Sequence, residues 1–334
     1  MSRAPLAGMR VLDLSQQLPG PYATLLLASL GATVTKVEPP LGDAARHLDP
    51  PMFANVNAGK SSVTLDLKTE AARTRLRGMI AEADVFIEGF RPGVAARLAC
   101  DYETARSINP AIIYCSISGF GQTGPLSSQP THDLSLQAMV GALPDDAQIS
   151  RIGVPWVDLA TATTAALAIT AAWHAGDGVY LDVSMMDAAL AWSTVKPDAV
   201  HDLEPTYGTF VTASGHKVVV ALLEDSMWLR LCAAFGWANW QHDSSYSHYL
   251  DRRQRAAEIR ERLISTVGEL SYEQVMGLAR EHDIPIGPLF DSHNTDVSNQ
   301  ISLRYSNTDP AWRSSVLLPP ALMTELGNAP RLGN

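Results

Sequence analysis

Three stretches of the chain put a group capable of proton transfer or nucleophilic attack directly ahead of an apolar run. His132 and Asp133 follow the loop GFGQTGPLSSQPT, with its three glycines and two prolines, and lead into LSLQAMVG. Asp158 stands before LATATTAALAI, and Glu224 before DSMWLRLC. An imidazole beside a carboxylate can move protons, and a carboxylate can act as a base or as a covalent nucleophile. The same arrangement is also how a helix begins, because a polar side chain ahead of an apolar-periodic segment can accept the free N–H groups of the first turn. Spacing alone leaves both readings open at His132, Asp158 and Glu224.

Such groups need a scaffold, and the first half of the chain has the pattern of one. Short β-rich runs at Met9–Ser15, Thr33–Pro39, Ser62–Leu67, Asp84–Phe90 and Ala111–Phe120 alternate with helical patterns such as Pro21–Leu30 and Thr69–Glu82. That alternation predicts βαβ units on a mostly parallel sheet, where ligands bind at the carboxyl ends of the strands. The loops that follow the strands, SQQLPGP, EPPLGD, EGFRPG and SGFGQTGP, are therefore the ones expected to carry chemistry. None is GxGxxG or a P-loop, so a nicotinamide or P-loop nucleotide site is not expected. Beyond Val154 the pattern predicts a long apolar helix, then a strand and helix in VYLDVSMMDAALAW. Ser193–Gly208, polar and proline-containing, reads as a domain crossing. A hairpin turning near Ser214–His216 follows, with helices near Ser226–Phe235, Arg252–Gly268 and Ser271–His282, and then a polar tail from Asp291.

Composition narrows the class. With 46% hydrophobic and 18% charged residues, the 334-residue chain has an ordinary globular composition and is large enough for more than one domain. No run approaches a membrane span, and the opening MSRAPLAGMRVLDLS lacks the features of a secretory signal, so a cytoplasmic protein without membrane contact is expected. Cys100, Cys115 and Cys232 are an odd count without CxxC spacing and read as buried thiols rather than disulfides or a metal site. A net charge of −10 argues against a nucleic-acid surface, so any anionic ligand must be met by a few placed cations.

PLAGMRVLDLSQQLPGPYATLLLASLGATVTKVEPPLGDAAR resembles the N-terminal signature of the class III CoA-transferases of the CaiB/BaiF type, a group that also contains α-methylacyl-CoA racemases. NAGKSSVTLDLKT, ADVFIEGFRPGVAARL, INPAIIYCSISGFGQTGP, LDVSMMDAALAW and LLEDSMWLRLC continue the resemblance in the family's order over nearly the whole chain. It implies a large Rossmann-like α/β domain built from both chain ends, 1–195 with 291–334, and a small α+β domain over 203–290. It implies an interlocked homodimer that acts on an acyl-CoA and a small carboxylic acid, with coenzyme A as substrate and no permanently bound cofactor or metal.

The resemblance also assigns residues. By motif position Asp158 is the nucleophile that attacks the thioester, and a carboxylate suits that task because its anhydride and thioester remain reactive. In the racemase branch HD occupies positions 132–133, so His132 and Asp158 would there be two bases on opposite faces of an α-carbon, with Glu224 completing a polar relay. Lys36, Lys60 and Arg91 are nominated for the CoA phosphates, Gln16, Gln17 and Leu18 for the pantetheine arm, and Gly119–Gly121, Gly119 and Gly121 above all, for close approach of the backbone. A CoA-transferase is the reading adopted; a racemase and a non-catalytic CoA-binding paralogue are the alternatives. LSLQAMVG and the ATA at Ala160–Ala162 resemble transferases, whereas the family's Gly-rich lid is missing from Ser193–Gly208. HAGDGVY at His174–Tyr180 lacks the family's basic charge, and the chain stops at Asn334 soon after APRLG, so contacts at the edge of CoA and part of the dimer wrap are expected to differ.

Overall fold

The five β-rich runs of the first half and the strand expected in VYLDVSMMDAALAW become six parallel strands: β1 (Arg10–Leu14), β2 (Thr33–Glu38), β3 (Ser61–Thr64), β4 (Val85–Glu88), β5 (Ile113–Ser118) and β6 (Val179–Ser184). Near-continuous apolar runs suit parallel strands covered on both faces, and every residue of β4 and β5 is buried. The computed structural model describes residues 4–143, 153–195, 203–289, 299–300, 303–304, 318 and 329–333. Helices α1 (Pro19–Ser29), α2 (Ala45–Leu48), α3 (Pro50–Val56), α4 (Glu70–Glu82), α5 (Val94–Arg97), α6 (Tyr102–Ile108), α7 (Asp133–Met139), α8 (Trp156–Ala175) and α9 (Met185–Ser193) accompany the sheet. Thr69 accepts the N–H of Ala72 and so starts α4 where its sequence predicts.

Two layers cover the sheet. On one face Leu25 and Leu27 of α1 and Ala162 and Ile169 of α8 pack with Val11, Ile87 and Cys115. On the other, Leu76 and Ile80 of α4 and Ala105 of α6 pack with Leu12, Phe86 and Tyr114. Each fully buried Leu or Ile in these layers contributes roughly 1.5–3 kcal/mol. The strand order is β3-β2-β1-β4-β5-β6. The chain thus runs outward from β1, returns, and runs the other way from β4, so the loops after β1 and β4 part and leave a crevice at the carboxyl ends.

The turn HAGDGVY lies at the opposite, amino end of β6. Gly176 closes α8 at φ +84°, and a Cβ on Gly178 would lie 2.4 Å from the carbonyl oxygen of Pro110. The basic charge missing from this turn would therefore not face the crevice at the carboxyl ends of this chain's strands. Residues 329–333 run beside β3, where Gly333 accepts the Thr64 hydroxyl and donates to Ser62 Oγ at 3.4 Å.

The chain divides into two units, Met1–Val200 with Ser302–Asn334 and His201–Ile301. The expected crossings at 195–203 and 290–291 fall mostly on residues outside those described, as does most of the polar tail. The second unit holds an antiparallel sheet of β7 (Tyr207–Val211), β8 (Lys217–Ala221) and β9 (Ile286–Pro288) with helices α10 (Asp225–Ala234), α11 (Ala238–Gln241), α12 (Tyr249–Gln254), α13 (Ala256–Glu269) and α14 (Tyr272–Glu281). Its core stacks Trp228, Trp240 and Tyr246. The single helix expected over Arg252–Gly268 is instead two, parted at Arg255. Arg252 is buried against Trp228, and its guanidinium donates to the carbonyls of Tyr246, Ser247 and Leu223, which holds α12 in its own direction.

Candidate active site

A cleft of about 480 Å³ opens at the carboxyl ends of β1, β4 and β5, at the reversal of strand order. Gln16 and Gln17 reach it from the loop after β1, Arg91 from the loop after β4, Gly119 from the loop after β5, His132 from the start of α7, and Asp158 from the first turn of α8. Six of the positions nominated from sequence are thereby brought together. Leu18 is not: it is buried at the head of α1. Gly121 is not either; at φ +80° it makes a left-handed turn against Asp182. Glu224 lies in the second unit at the N-cap position of α10, exposed and without a cap hydrogen bond from its side chain.

Lys36 and Lys60 are the clearest departures from expectation. Neither is free to meet a phosphate, since both ammonium groups are fully buried, Lys36 paired with Asp43 at 2.9 Å and Lys60 with Asp13 at 3.2 Å. Their work is on the backbone of the cleft. Lys36 donates to the carbonyl of Ser15 at 2.8 Å, and Asp43 accepts the N–H of Gln17 at 3.0 Å. Asp13 accepts both the N–H and the hydroxyl of Ser15. Gln17 is thus held at φ +62°, a left-handed conformation that a non-glycine residue adopts only under restraint. Burial raises the Asp13 carboxyl, but Lys60, Lys36 and the Ser15 and Thr24 hydroxyls outweigh it and bring it down to about 2. Burial pulls the Lys60 ammonium down to about 8 against the opposing attraction of Asp13.

Asp158 is not the N-cap of α8, which begins two residues earlier at Trp156. The cap comes from Asp133, whose Oδ1 accepts the N–H groups of Val157 at 2.8 Å and Asp158 at 3.1 Å. Asp133 is itself held by Gln137. His132 occupies the N-cap position of α7, but its ring makes no cap bond. The paired residues therefore divide their duties: His132 lines the cleft, and Asp133 fixes the helix that carries Asp158. Gly119 admits this arrangement, because a Cβ there would lie 2.3 Å from Thr131 Cγ2, beside His132. Burial first, and then the like charge of Asp133, push the Asp158 carboxyl up to about 7. Asp133→Asn keeps an acceptor for the two N–H groups and removes the charge, so the ionisation of Asp158 should move to lower pH by about one unit. The acid limb of the pH–rate profile measures that shift.

A second cleft, of about 750 Å³ and mostly apolar, adjoins the first and shares Leu14, Gln16 and Phe90 with it. Leu41, Leu65, Leu67 and Leu98 line it, with His47 and Lys68 among its polar residues. Sequence reasoning missed this space: LDL, expected within the strand Ser62–Leu67, instead leaves β3 at Thr64 and lines the cleft. It also missed Asp133, whose signal was an acid placed to meet a neighbouring helix start. Among the described residues no three His, Cys, Asp or Glu side chains gather to hold a metal ion, and no helix is long and apolar enough to cross a membrane.

The family model for CoA-transferase family III matches residues 6–306. The chain belongs to CoA-transferase family III. An acetyl-CoA:oxalate CoA-transferase of Acetobacter aceti is 33% identical over 86% of this chain and 82% of its own length. A succinyl-CoA:mesaconate CoA-transferase of Haloarcula hispanica is 39% identical over 69% of this chain and 67% of its own. Among solved structures, the Rv3272 protein of Mycobacterium tuberculosis superposes with a TM-score of 0.85 at 28% identity, covering 100% of this chain and 98% of that one. A CaiB/BaiF family protein from Brucella suis gives 0.81 at 27%, covering 99% and 97%. The CoA-transferase assignment agrees with the expected fold class, an α/β unit of Rossmann strand order and a smaller α+β unit.

Proposed function

We propose that this CoA-transferase moves CoA from an acyl-CoA to a short dicarboxylic acid through covalent states on Asp158. The observation that carries the reading is the place of Asp158, partly buried in a cleft at the strand reversal and faced there by Gln16, Gln17, Arg91 and His132. The acceptor class is supported by relatives named for oxalate, mesaconate and glutarate, all of them diacids.

The Asp158 carboxylate attacks the thioester carbonyl, the C–S bond breaks, and CoA leaves as thiolate from a mixed anhydride. The thiolate attacks the aspartyl carbonyl and expels the donor carboxylate, leaving an aspartyl-CoA thioester. The acceptor carboxylate then attacks that carbonyl and releases the thiolate, which takes the acceptor acyl group and frees Asp158. No proton, water or electron is consumed overall, so the cleft must exclude water from the anhydride. His132 orients or polarises, a role for which the racemase's second base is not needed. The larger, apolar cleft suits a further part of CoA, because it adjoins the first. Arg91 is exposed in the first cleft and suits a phosphate or a substrate carboxylate. Arg91→Ala should weaken CoA binding by about 1–3 kcal/mol in calorimetry with the fold unchanged.

The deciding experiment incubates the protein with a panel of acyl-CoA esters, succinyl-CoA among them, and a panel of diacids in deuterated water and follows both CoA exchange and α-deuterium. Exchange without deuterium uptake is the expected result. Deuterium uptake without exchange replaces this reading with a racemase, and bound CoA with neither marks a non-catalytic paralogue. A cytoplasmic homodimer completes the proposal, resting on the family resemblance; light scattering should give about twice the 36.0 kDa chain mass.

A further inference from the structure

Glu88 ends β4 with only 3% of its surface exposed, and no step above uses it. One of its carboxylate oxygens accepts the N–H of Phe90 at 2.6 Å, and the other accepts the Ser116 hydroxyl at 2.5 Å. Ser116 Oγ in turn accepts from Gln122 Nε2 at 2.8 Å, and the N–H of Gln122 donates to Asp182 Oδ2 at 3.0 Å. A run of hydrogen bonds therefore joins the loop that bears Phe90 and Arg91 to the glycine loop that continues from Gly119 to Gln122. Phe90 and Arg91 of the first loop and Gly119 of the second line the cleft. Among the described residues, the ionisable groups that interact with Glu88 include Asp182 and Tyr180 on β6, Tyr114 and Cys115 on β5, and Cys100 after α5, and none of these is a cation.

We propose that Glu88 is a positioning residue: as a carboxylate it ties the Arg91 loop to the glycine loop and holds the cleft in the shape that grips CoA. The inference rests on reading the cleft as the CoA-thioester site. Ionised, Glu88 accepts both donors in charge-assisted bonds; protonated, one oxygen becomes a donor and the clasp falls back to weaker, neutral hydrogen bonds. Burial, with Asp182 adding to it, lifts this carboxyl to about 7, so the tie loosens as the pH falls through neutrality.

The test uses CoA itself, titrated calorimetrically into the Asp158→Asn protein so that the other carboxyl ionising in the cleft is removed. Glu88→Gln is added to that background and compared at about pH 8 and about pH 5.5, either side of the lifted value. The ionisation of the CoA phosphates is common to both proteins and cancels in the ratio of their dissociation constants. Glu88→Gln should weaken CoA binding by about tenfold at the higher pH and by less than about twofold at the lower, where Glu88 is itself protonated. The same ratio at both pH values overturns the role of Glu88. Gln122→Ala, which cuts the tie from the glycine loop without touching the buried carboxyl, should show the same pattern at about threefold. If Glu88→Gln does not fold, this variant decides alone, and unchanged affinity at both pH values sinks the proposal. Absence of CoA binding by the Asp158→Asn reference protein fails the reading of the cleft itself, a result distinct from binding with a flat ratio.

Discussion

Asp158→Asn is expected to lower kcat by at least about 10⁴-fold, because an amide cannot form the anhydride or pass through the aspartyl thioester. Wild-type protein given acyl-CoA and quenched with hydroxylamine should carry the modification at Asp158 and nowhere else, and mass spectrometry of the digest reads it. Failure to find an adduct during rapid exchange would remove Asp158 as nucleophile. The same substitution has a second signature. The folded-state carboxyl sits at about 7, above its ordinary 3.8, so the folded protein holds this proton more tightly than the unfolded chain. The stability this contributes is fully present below about pH 4 and is lost as pH rises through about 7. An amide loses nothing over that interval. Asp158→Asn should therefore be more stable than wild type by roughly 3 kcal/mol at pH 8, with little difference at pH 4, in thermal melts at the two pH values. An inactive variant that is more stable only above neutrality is hard to explain except by a carboxylate held in the cleft at a cost to the fold.

Lys36→Met should do the opposite. The substitution leaves Asp43 buried without its cation and Ser15 without a donor for its carbonyl, and breaking a buried pair from one side costs about 3–5 kcal/mol. Denaturant unfolding should show that loss, and Gln17, no longer restrained through Asp43, should leave the cleft with little affinity for CoA. A surface cation contacting phosphate would give the reverse pattern, with weaker binding at unchanged stability, as expected of Arg91→Ala. Unchanged unfolding of Lys36→Met would return Lys36 to the list of direct CoA ligands.

The contrast between Lys36 and Arg91 shows where the sequence was legible. Strands such as VFIE and IYCSIS could be read because burial on both faces leaves no room for alternation, and α4 because Thr69 is a self-contained cap. The cleft could be placed because loops after parallel strands must converge there, and Asp158, Gln16, Gln17 and Arg91 fell into it on the strength of family motifs. Lys36 and Lys60 were misread because residue type does not report burial. The overlooked sign was Asp13, an acid inside a covered strand, which requires a buried cation. Asp133 was missed because its partner N–H groups lie more than twenty positions ahead, a distance that capping patterns do not span. IPIGP hid β9 behind two prolines and a glycine, residues that normally end a strand.

The segment 329–333 beside β3 bears on how copies of this protein avoid one another. β3 is the last strand on its side of the sheet, and the outer strand of a parallel sheet offers unpaired N–H and C=O groups to any chain that can lie along it. Gly333 passes so close that a Cβ would fall 2.2 Å from the carbonyl oxygen of Ser62, and with Arg46 donating to Pro330 at 3.1 Å the segment is fastened over that border. Residues 329–333 thus stand guard over a strand laid down more than two hundred and sixty residues earlier. Until residues 329–333 are made, that border stays open to any chain able to pair with it, and over that interval the sheet is exposed to self-association.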